Sequence, residues 1–181
     1  GNFHGDYISL EMDKLKIAIT KLSLLQERQI NFLCNPRLNA VLPPFVTQGT
    51  PGLDMGLQGL QFVATSTAAE NQVLSTPMSV HTISTNNDNQ DIVSMGTNAA
   101  LMTSRVIENT YQIQAILFAS ILQAVDFLGI KKELGEGTGH MYEDVRRFFP
   151  FFKKDYPLLY KDIATLSDEM KKRATKRYQQ V

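Results

Sequence analysis

The chain has one thiol, Cys34, which excludes an intrachain disulfide framework and a multi-cysteine zinc module. So little cysteine biases the expected compartment toward the cytoplasm. Net charge is also missing, since 18 basic residues balance 18 acidic ones, and nothing in that balance suits a free-standing nucleic-acid coat. No secretory leader is visible. The uncharged run from Asn109 to Val125 carries Gln112, Gln114 and Gln123 and falls short of the roughly 20 apolar residues that a membrane crossing needs. Buried protein core is the expectation there. Sustained heptads and internal repeats do not occur. What is abundant is apolar content: 43% of 181 residues, enough at this length for one core to bury about 70% of the extended-chain surface. The chain opens on Gly1 and enters structured-looking sequence at once, the pattern of a processed chain or a piece of something longer.

Periodicity supplies the architecture. Between Tyr7 and Leu33, the residues Leu10, Leu15, Ala18, Leu22, Leu25, Gln29 and Leu33 form a nearly helical stripe, and Pro36 provides a stop. So broad an apolar face predicts a helix buried on more than one side. Pro43-Pro44-Phe45 and Gly49-Thr50-Pro51-Gly52 read as a connection. A second helix is expected over Leu57 to Leu74, with small residues from Ala64 to Ala69 permitting close backbone approach. Thr76-Pro77 opens an irregular stretch that runs through Asn86-Asn87-Asp88-Asn89-Gln90-Asp91. A long helix from Ile92 to Leu128 follows, in which Ile107, Tyr111, Phe118, Leu122, Val125 and Leu128 recur mostly at intervals of three or four. Gly135 to Gly139 marks a loop, and shorter helices are predicted over Met141–Phe149 and Tyr160–Tyr178. The fold class is therefore an all-α bundle of long helices.

Charge is unevenly spread beneath the zero net value. Residues 1–130 hold 6 basic and 10 acidic side chains, and residues 131–181 hold 12 and 8. Lys171-Lys172-Arg173 with Lys176-Arg177 reads as a solvated helix face, with phosphate contact as the alternative. Between Arg37 and Arg105 there is no lysine or arginine, although this interval holds the densest collection of amide side chains. A carboxylate bound there needs a cation from elsewhere.

The amide cluster from Asn86 to Asp91 can donate and accept hydrogen bonds without a local charge, which suits a polar substrate. From composition alone, an Asx-rich turn with Asp91 as a helix N-cap is the stronger reading. At the start, Gly1-Asn2-Phe3-His4-Gly5-Asp6 reads as a tight turn in which His4 serves either a hydrogen-bond network or acid-base work. His4 and Asp6 fall short of a zinc ligand set, and His81 and His140 lie in distant segments, so no metal is expected. None of Ser66, Ser75, Ser79, Ser84 and Ser94 sits in a nucleophile elbow. Cys34 reads as a packed thiol. Glu70 is either solvated or part of a buried network, and Gln58 is a polar insertion at the start of an apolar helix.

Gly1-Asn2-Phe3-His4-Gly5, the segment from Gly52 to Gly59, the stretch Thr65 to Asn71, and Asn86 through Gly96 together resemble the carboxyl-terminal region of the aromatic amino acid ammonia-lyase family. That family includes histidine, phenylalanine and tyrosine ammonia-lyases and related aminomutases, and the pattern is most similar to bacterial tyrosine ammonia-lyases. The resemblance implies a mainly α-helical homotetramer of complete protomers, with residues 1–130 forming a central bundle with active-site loops and residues 131–181 a carboxyl-terminal helical region. It also implies a 4-methylideneimidazole-5-one (MIO) group produced from Ala-Ser-Gly. No Ala-Ser-Gly occurs in this chain, and the family's catalytic tyrosine and its carboxylate-binding arginine are missing as well. These parts are expected from an upstream segment, and the chain alone is expected to be inactive.

Carried over residue by residue, Asn2 resembles the amide beside the substrate carboxylate and Phe3 the wall beside the MIO group. Gln58, Asn86, Asn89 and Gln90 stand at substrate-binding positions, with Gln58 and Asn86 replacing a lysine and a glutamate of the phenylalanine lyases. Gln90 and Phe3 are supporting residues for catalysis whose principal groups lie upstream. Histidine lyases carry glutamate where Gln90 stands, so the glutamine favours a phenol or phenyl substrate. The reaction implied is loss of ammonia from L-tyrosine to give trans-4-coumarate. Phenylalanine or histidine elimination, a tyrosine aminomutase and a noncatalytic helical scaffold are the alternatives. An aromatic amino acid, the upstream segment and further copies of the protomer are the expected partners, with neither nucleic acid nor membrane.

Overall fold

The computed structural model describes residues 4–50, 52–157 and 159–178. Six α-helices account for most of them: α1 (Asp6–Cys34), α2 (Pro36–Asn39), α3 (Gln58–Leu74), α4 (Gly96–Leu128), α5 (Glu136–Arg146) and α6 (Leu159–Tyr178). Short 3-10 turns lie at Pro44–Val46 and Lys131–Glu133. The only β pairing among the described residues is an isolated bridge between Thr85 and Gln90. Every long helix expected from periodicity is present, and the fold is an all-α bundle.

Three details depart from the sequence reading. The long helix starts at Gly96 instead of Ile92, because Met95 takes a left-handed φ of 53° and its carbonyl receives the Ala99 N–H at 3.0 Å. The Val93 N–H is drawn aside to Thr82 Oγ1 at 2.8 Å. Asp91 is therefore an exposed residue upstream of the helix start and does not cap it. Helix α5 begins at Glu136 and takes in much of the expected glycine loop: the Gly139 N–H donates to the Gly135 carbonyl at 2.8 Å, and Thr138 Oγ1 donates to the same oxygen at 2.9 Å. The third departure concerns α1, whose buried face is not its leucine face.

The chain divides into two compact units, residues 1–24 with 67–110 and residues 25–66 with 111–181. The division falls inside α1, α3 and α4, so each of those helices contributes a segment to both.

In the first unit, α1 buries Ser9, Asp13, Lys16, Thr20 and Ser23, a polar stripe at intervals of three and four. The expected apolar stripe faces outward instead: Leu10 is 48% exposed, Leu15 41% and Leu22 48%. Both patterns have the helical period, and partners decide which one turns inward. Asn71 of α3 sits at the centre, donating from Nδ2 to Ser23 Oγ at 3.2 Å and to Thr110 Oγ1 at 3.3 Å. Its Oδ1 accepts from Asn109 Nδ2 at 2.9 Å, and its backbone carbonyl accepts from Thr20 Oγ1 at 3.2 Å. Thr103 Oγ1 donates to the Met12 and Ala99 carbonyls at 2.9 and 2.7 Å. Buried polar groups tolerate loss of water when they find such partners, and Ser9 Oγ is the member of the stripe that has none. Glu70 closes the network at its exposed edge, accepting from Asn109 Nδ2 at 3.0 Å and pairing with Arg105 at 3.2 Å.

The second unit has an apolar core. Ile113, Ile116, Leu117 and Leu122 of α4 are buried with Ile30, Leu57, Leu60, Phe149, Phe152, Ile163 and Leu166. Each such side chain contributes about 1.5–3 kcal/mol by leaving water. Cys34 is buried here, and burial alone pushes its thiol up to about 12, the chemistry of an inert packed sulfur. Helix α4 is long and apolar enough to cross a membrane by length and composition, yet 56% of its most apolar window is buried within the protein. Ser120 and Gln123 are buried along it, as suits a core helix.

Candidate active site

The residues that the sequence singles out fall into three places. Asn86, Asn89 and Gln90 lie together in one tight hairpin of the first unit. The Thr85 N–H donates to the Gln90 carbonyl at 3.0 Å, the Gln90 N–H returns to the Thr85 carbonyl at 3.3 Å, and the Asn89 N–H donates to the Asn86 carbonyl at 3.1 Å. Three successive residues, Asn86, Asn87 and Asp88, occupy the left-handed region with φ of 56°, 53° and 64°. Asn and Asp tolerate that region best among residues with a side chain, so the Asx-rich composition is what the turn requires. The same geometry leaves Asn86 and Asn89 exposed and Gln90 half-buried. Turn chemistry and a presented set of amides are therefore one feature.

The base of this connection is tied to α1. Asp13 accepts the Met78 N–H at 3.1 Å and the Ser79 N–H at 2.7 Å, and it takes the fully buried Lys16 ammonium at 2.8 Å. Burial works to raise the Asp13 pKa, but the Lys16 and backbone hydrogen bonds outweigh it and hold the carboxyl well below the usual carboxylate range. Neither residue stood out in the sequence reading. The available signal was an acid and a base three residues apart on a polar stripe, which reads by default as a surface pair.

Gln58 belongs to the second unit, where it is the first residue of α3 and half-buried. It lines a 410 Å³ cavity with Pro43, Pro44, Phe45, Asp54 and Met55. The connection around this cavity folds back on itself: Leu57 N–H reaches the Phe45 carbonyl at 2.9 Å, and Gln58 N–H reaches the Met55 carbonyl at 3.1 Å. Gly56, with φ of 56°, passes so near Phe45 that a Cβ would lie 2.7 Å from its carbonyl oxygen, which only glycine avoids.

Asn2 and Phe3 lie outside the described residues. Next to them in sequence, His4, Gly5, Ile8, Val93, Ser94, Met95, Gly96, Thr97 and Asn98 line a groove of 370 Å³. Among the described residues, that lining holds no carboxylate, lysine or arginine. The tight turn expected over Gly1 to Asp6 falls largely outside the described residues; Gly5 has φ 74° and its carbonyl accepts the Ser9 N–H at 3.1 Å, the first bond of α1.

Other candidates resolve simply. Among the described residues no three His, Cys, Asp or Glu side chains come together as a metal site. Lys171 pairs with Asp168 at 2.8 Å, Lys172 with Glu169 at 2.6 Å and Arg173 with Asp144 at 2.8 Å, an ion-paired solvated helix face.

The family model described as Aromatic amino acid lyase matches residues 1–147. A histidine ammonia-lyase of Macrococcus caseolyticus is 39% identical over 177 residues, covering 98% of this chain and 35% of that protein. A tyrosine ammonia-lyase of Cupriavidus metallidurans is 37% identical over 155 residues, covering 86% of this chain and 29% of that protein. Among solved structures, a tyrosine aminomutase from Streptomyces globisporus superposes with a TM-score of 0.92 at 38% identity, covering 98% of this chain and 33% of that one. The chain thus spans about a third of the length of the relatives it matches. With the family model matched over most of its length, the chain belongs to the aromatic amino acid lyase family, whose members include both ammonia-lyases and aminomutases.

Proposed function

We propose that this chain is the carboxyl-terminal part of an MIO-dependent enzyme that removes ammonia from L-tyrosine. The observation that carries the substrate reading is the hairpin: it presents Asn86 and Asn89 and keeps Gln90 half-buried, and by the family resemblance a glutamine there favours a tyrosine or phenylalanine substrate. In the elimination, the Cα–N bond and a Cβ–H bond break, a Cα=Cβ double bond forms, and ammonia and a proton leave. The MIO group, when bound, would supply an electrophile that makes the substrate amine a better leaving group. This chain has no Ala-Ser-Gly to form it, and the groove lined by His4, Gly5, Ser94 and Met95, whose described lining holds no carboxylate, lysine or arginine, is compatible with a neutral heterocycle of that kind. By the family resemblance, Asn2, Gln58, Asn86 and Asn89 are read as substrate-binding residues, Phe3 as the wall beside the MIO group and Gln90 as a supporting residue, each contributing orientation.

Two products of one elimination remain. Release gives trans-4-coumarate. Return of ammonia to the β-carbon, with a proton restored at the α-carbon, gives β-tyrosine, and the close superposition on the Streptomyces globisporus tyrosine aminomutase favours this second outcome. Incubating the complete protein with L-tyrosine and resolving coumarate from α- and β-tyrosine by chiral chromatography decides between them. Absence of both products would overturn the substrate assignment. Replacing Gln90→Glu is expected to lower tyrosine turnover at unchanged helix content, and unchanged turnover would remove its tuning role.

The remaining protomer is the proposed partner of the exposed apolar residues. Tyr7 and Ile8 in the first unit are 67% and 58% exposed, and Leu25 in the second is 55% exposed. The upstream segment and further protomers of a tetramer would cover them. Residues 1–130 supply the bundle and site loops in this reading, residues 131–181 a peripheral helical region, and the enzyme works in the cytoplasm.

A further inference from the structure

The connection that carries Gln58 is held from a part of the chain beyond the last residue matched by the family model. Asp155 reaches back across about a hundred residues of sequence: its Oδ2 accepts the Met55 N–H at 2.7 Å and its Oδ1 the Gly56 N–H at 2.9 Å. Its own backbone N–H donates to Asp54 Oδ1 at 3.0 Å, while Asp54 Oδ2 accepts the Thr50 N–H at 2.8 Å. Two carboxylates thus form a clasp in which every oxygen receives a backbone N–H. The clasp ends beside Gln58, because Met55 gives its N–H to Asp155 and its carbonyl to the Gln58 N–H.

The segment behind Asp155 is itself fixed. Phe152 is buried, its carbonyl accepts Gln123 Nε2 at 2.5 Å, and its ring meets Phe149 and Tyr156 edge-on at 6.0 and 5.6 Å between centroids. Tyr156 in turn donates its hydroxyl to Asp162 at 2.6 Å. The clasped connection resists relaxation elsewhere, since Phe45 and Val46 are held in the left-handed region at φ 54° and 52°. A Cβ at Gly49 would lie 2.3 Å from the Asp54 carboxyl carbon, so the turn closes directly over that carboxylate.

We propose that Asp155 is a positioning residue for the substrate pocket: it fixes the Met55–Gly56 backbone and through it the placement of Gln58. This rests on the reading of Gln58 as a substrate-binding residue. The test uses the complete protein with Asp155→Ala and Asp155→Asn. Amide exchange at Met55 and Gly56 is expected to accelerate about tenfold or more in the alanine variant, with exchange in the α4 core unchanged. KM for the aromatic amino acid is expected to rise about fivefold with kcat within about twofold, because binding geometry is lost before chemistry. The asparagine variant retains one acceptor oxygen and is expected to fall between wild type and alanine. Unchanged exchange overturns the clasp, and faster exchange with unchanged KM overturns the positioning role. Gln58→Ala reports separately on the underlying reading: if it leaves KM unchanged while Asp155→Ala raises it, the pocket depends on the clasp but not through Gln58, and the proposal fails in that form. Should the complete protein turn over no aromatic amino acid, the exchange measurement alone decides the clasp.

Discussion

The two units of this chain solve burial in opposite ways. In the unit made of residues 1–24 and 67–110, the apolar residues that are buried are Ala68, Ala99 and Val106, while Ser9, Asp13, Lys16, Thr20, Ser23, Asn71, Thr103, Asn109 and Thr110 are all withdrawn from water. In the other, Phe149, Ile30, Leu57, Ile113 and Ile116 head a conventional apolar core. An apolar core is forgiving, because packing losses are graded with volume. A hydrogen-bonded interior is not, because each deletion strands a partner that has already lost its water. The unit that carries the amide hairpin is therefore the one with the more sharply specified geometry, and it shows its leucines to the outside.

The hardest way to break the contrast is at the buried ion pair. Lys16→Met leaves the Asp13 carboxylate buried without its cation and is expected to cost about 3–5 kcal/mol in denaturant unfolding of the complete protein. Adding Asp13→Asn should recover much of that loss, since the neutral amide no longer demands a counter-charge. If the double variant is no better than the single one, the pair acts through the Met78 and Ser79 backbone bonds instead. In the apolar unit, Phe149→Ala is expected to cost about 3–5 kcal/mol through the cavity it leaves, with no single partner whose replacement rescues it. Asn71→Ala should cost about 2–3 kcal/mol, with non-additive coupling to Asn109→Ala, because both strand the same interior bonds.

Acid sharpens the same difference. The Asp13 carboxyl is held below its usual range in the folded chain, so it contributes stability that is present above the unfolded value of about 3.9 and is lost as pH falls toward the folded one. Stability measured downward from about pH 5 should therefore fall more steeply in wild type than in Asp13→Asn. Parallel acid limbs would show that other carboxylates govern the loss.

How much of this was readable in the chain itself follows from the same contrast. Spacing of apolar residues located α1 and α4, and a small-residue stretch between two irregular connections located α3, because periodicity and stops at Pro36 and after Leu74 depend on neighbours in sequence. It misassigned the inner face of α1, because a stripe of Ser, Asp, Lys and Thr has the same period as a stripe of leucines. Partners far away in sequence make that polar stripe the buried one: Asn71 for Thr20 and Ser23, and the Met78 and Ser79 backbone for Asp13. The start of α4 was misplaced for a similar reason: Thr82 competes for the Val93 N–H, and no propensity scale contains that contact. At the site, Asn86, Asn89, Gln90 and Gln58 were legible from motif resemblance, whereas Asp13 and Asp155 were not. Both act on backbone N–H groups contributed by distant segments, and such a target has no residue signature to read.

The smallest expected effect is the most informative about the outward leucines. Leu22 is 48% exposed and lies on the face opposite the hydrogen-bonded interior, so Leu22→Ser should change the unfolding free energy of the 181-residue chain by no more than about 0.5 kcal/mol. Ile30, on the same helix and fully buried in the apolar unit, should lose about 2–5 kcal/mol as Ile30→Ala in the same measurement. In the complete protein the ranking should change, because a leucine covered by another protomer leaves water on assembly and its loss then appears in sedimentation as a shift toward smaller species. A Leu22→Ser protein with unchanged sedimentation would mean that this face stays wet even in the assembly. The leucines of α1 would then need an explanation other than burial between chains.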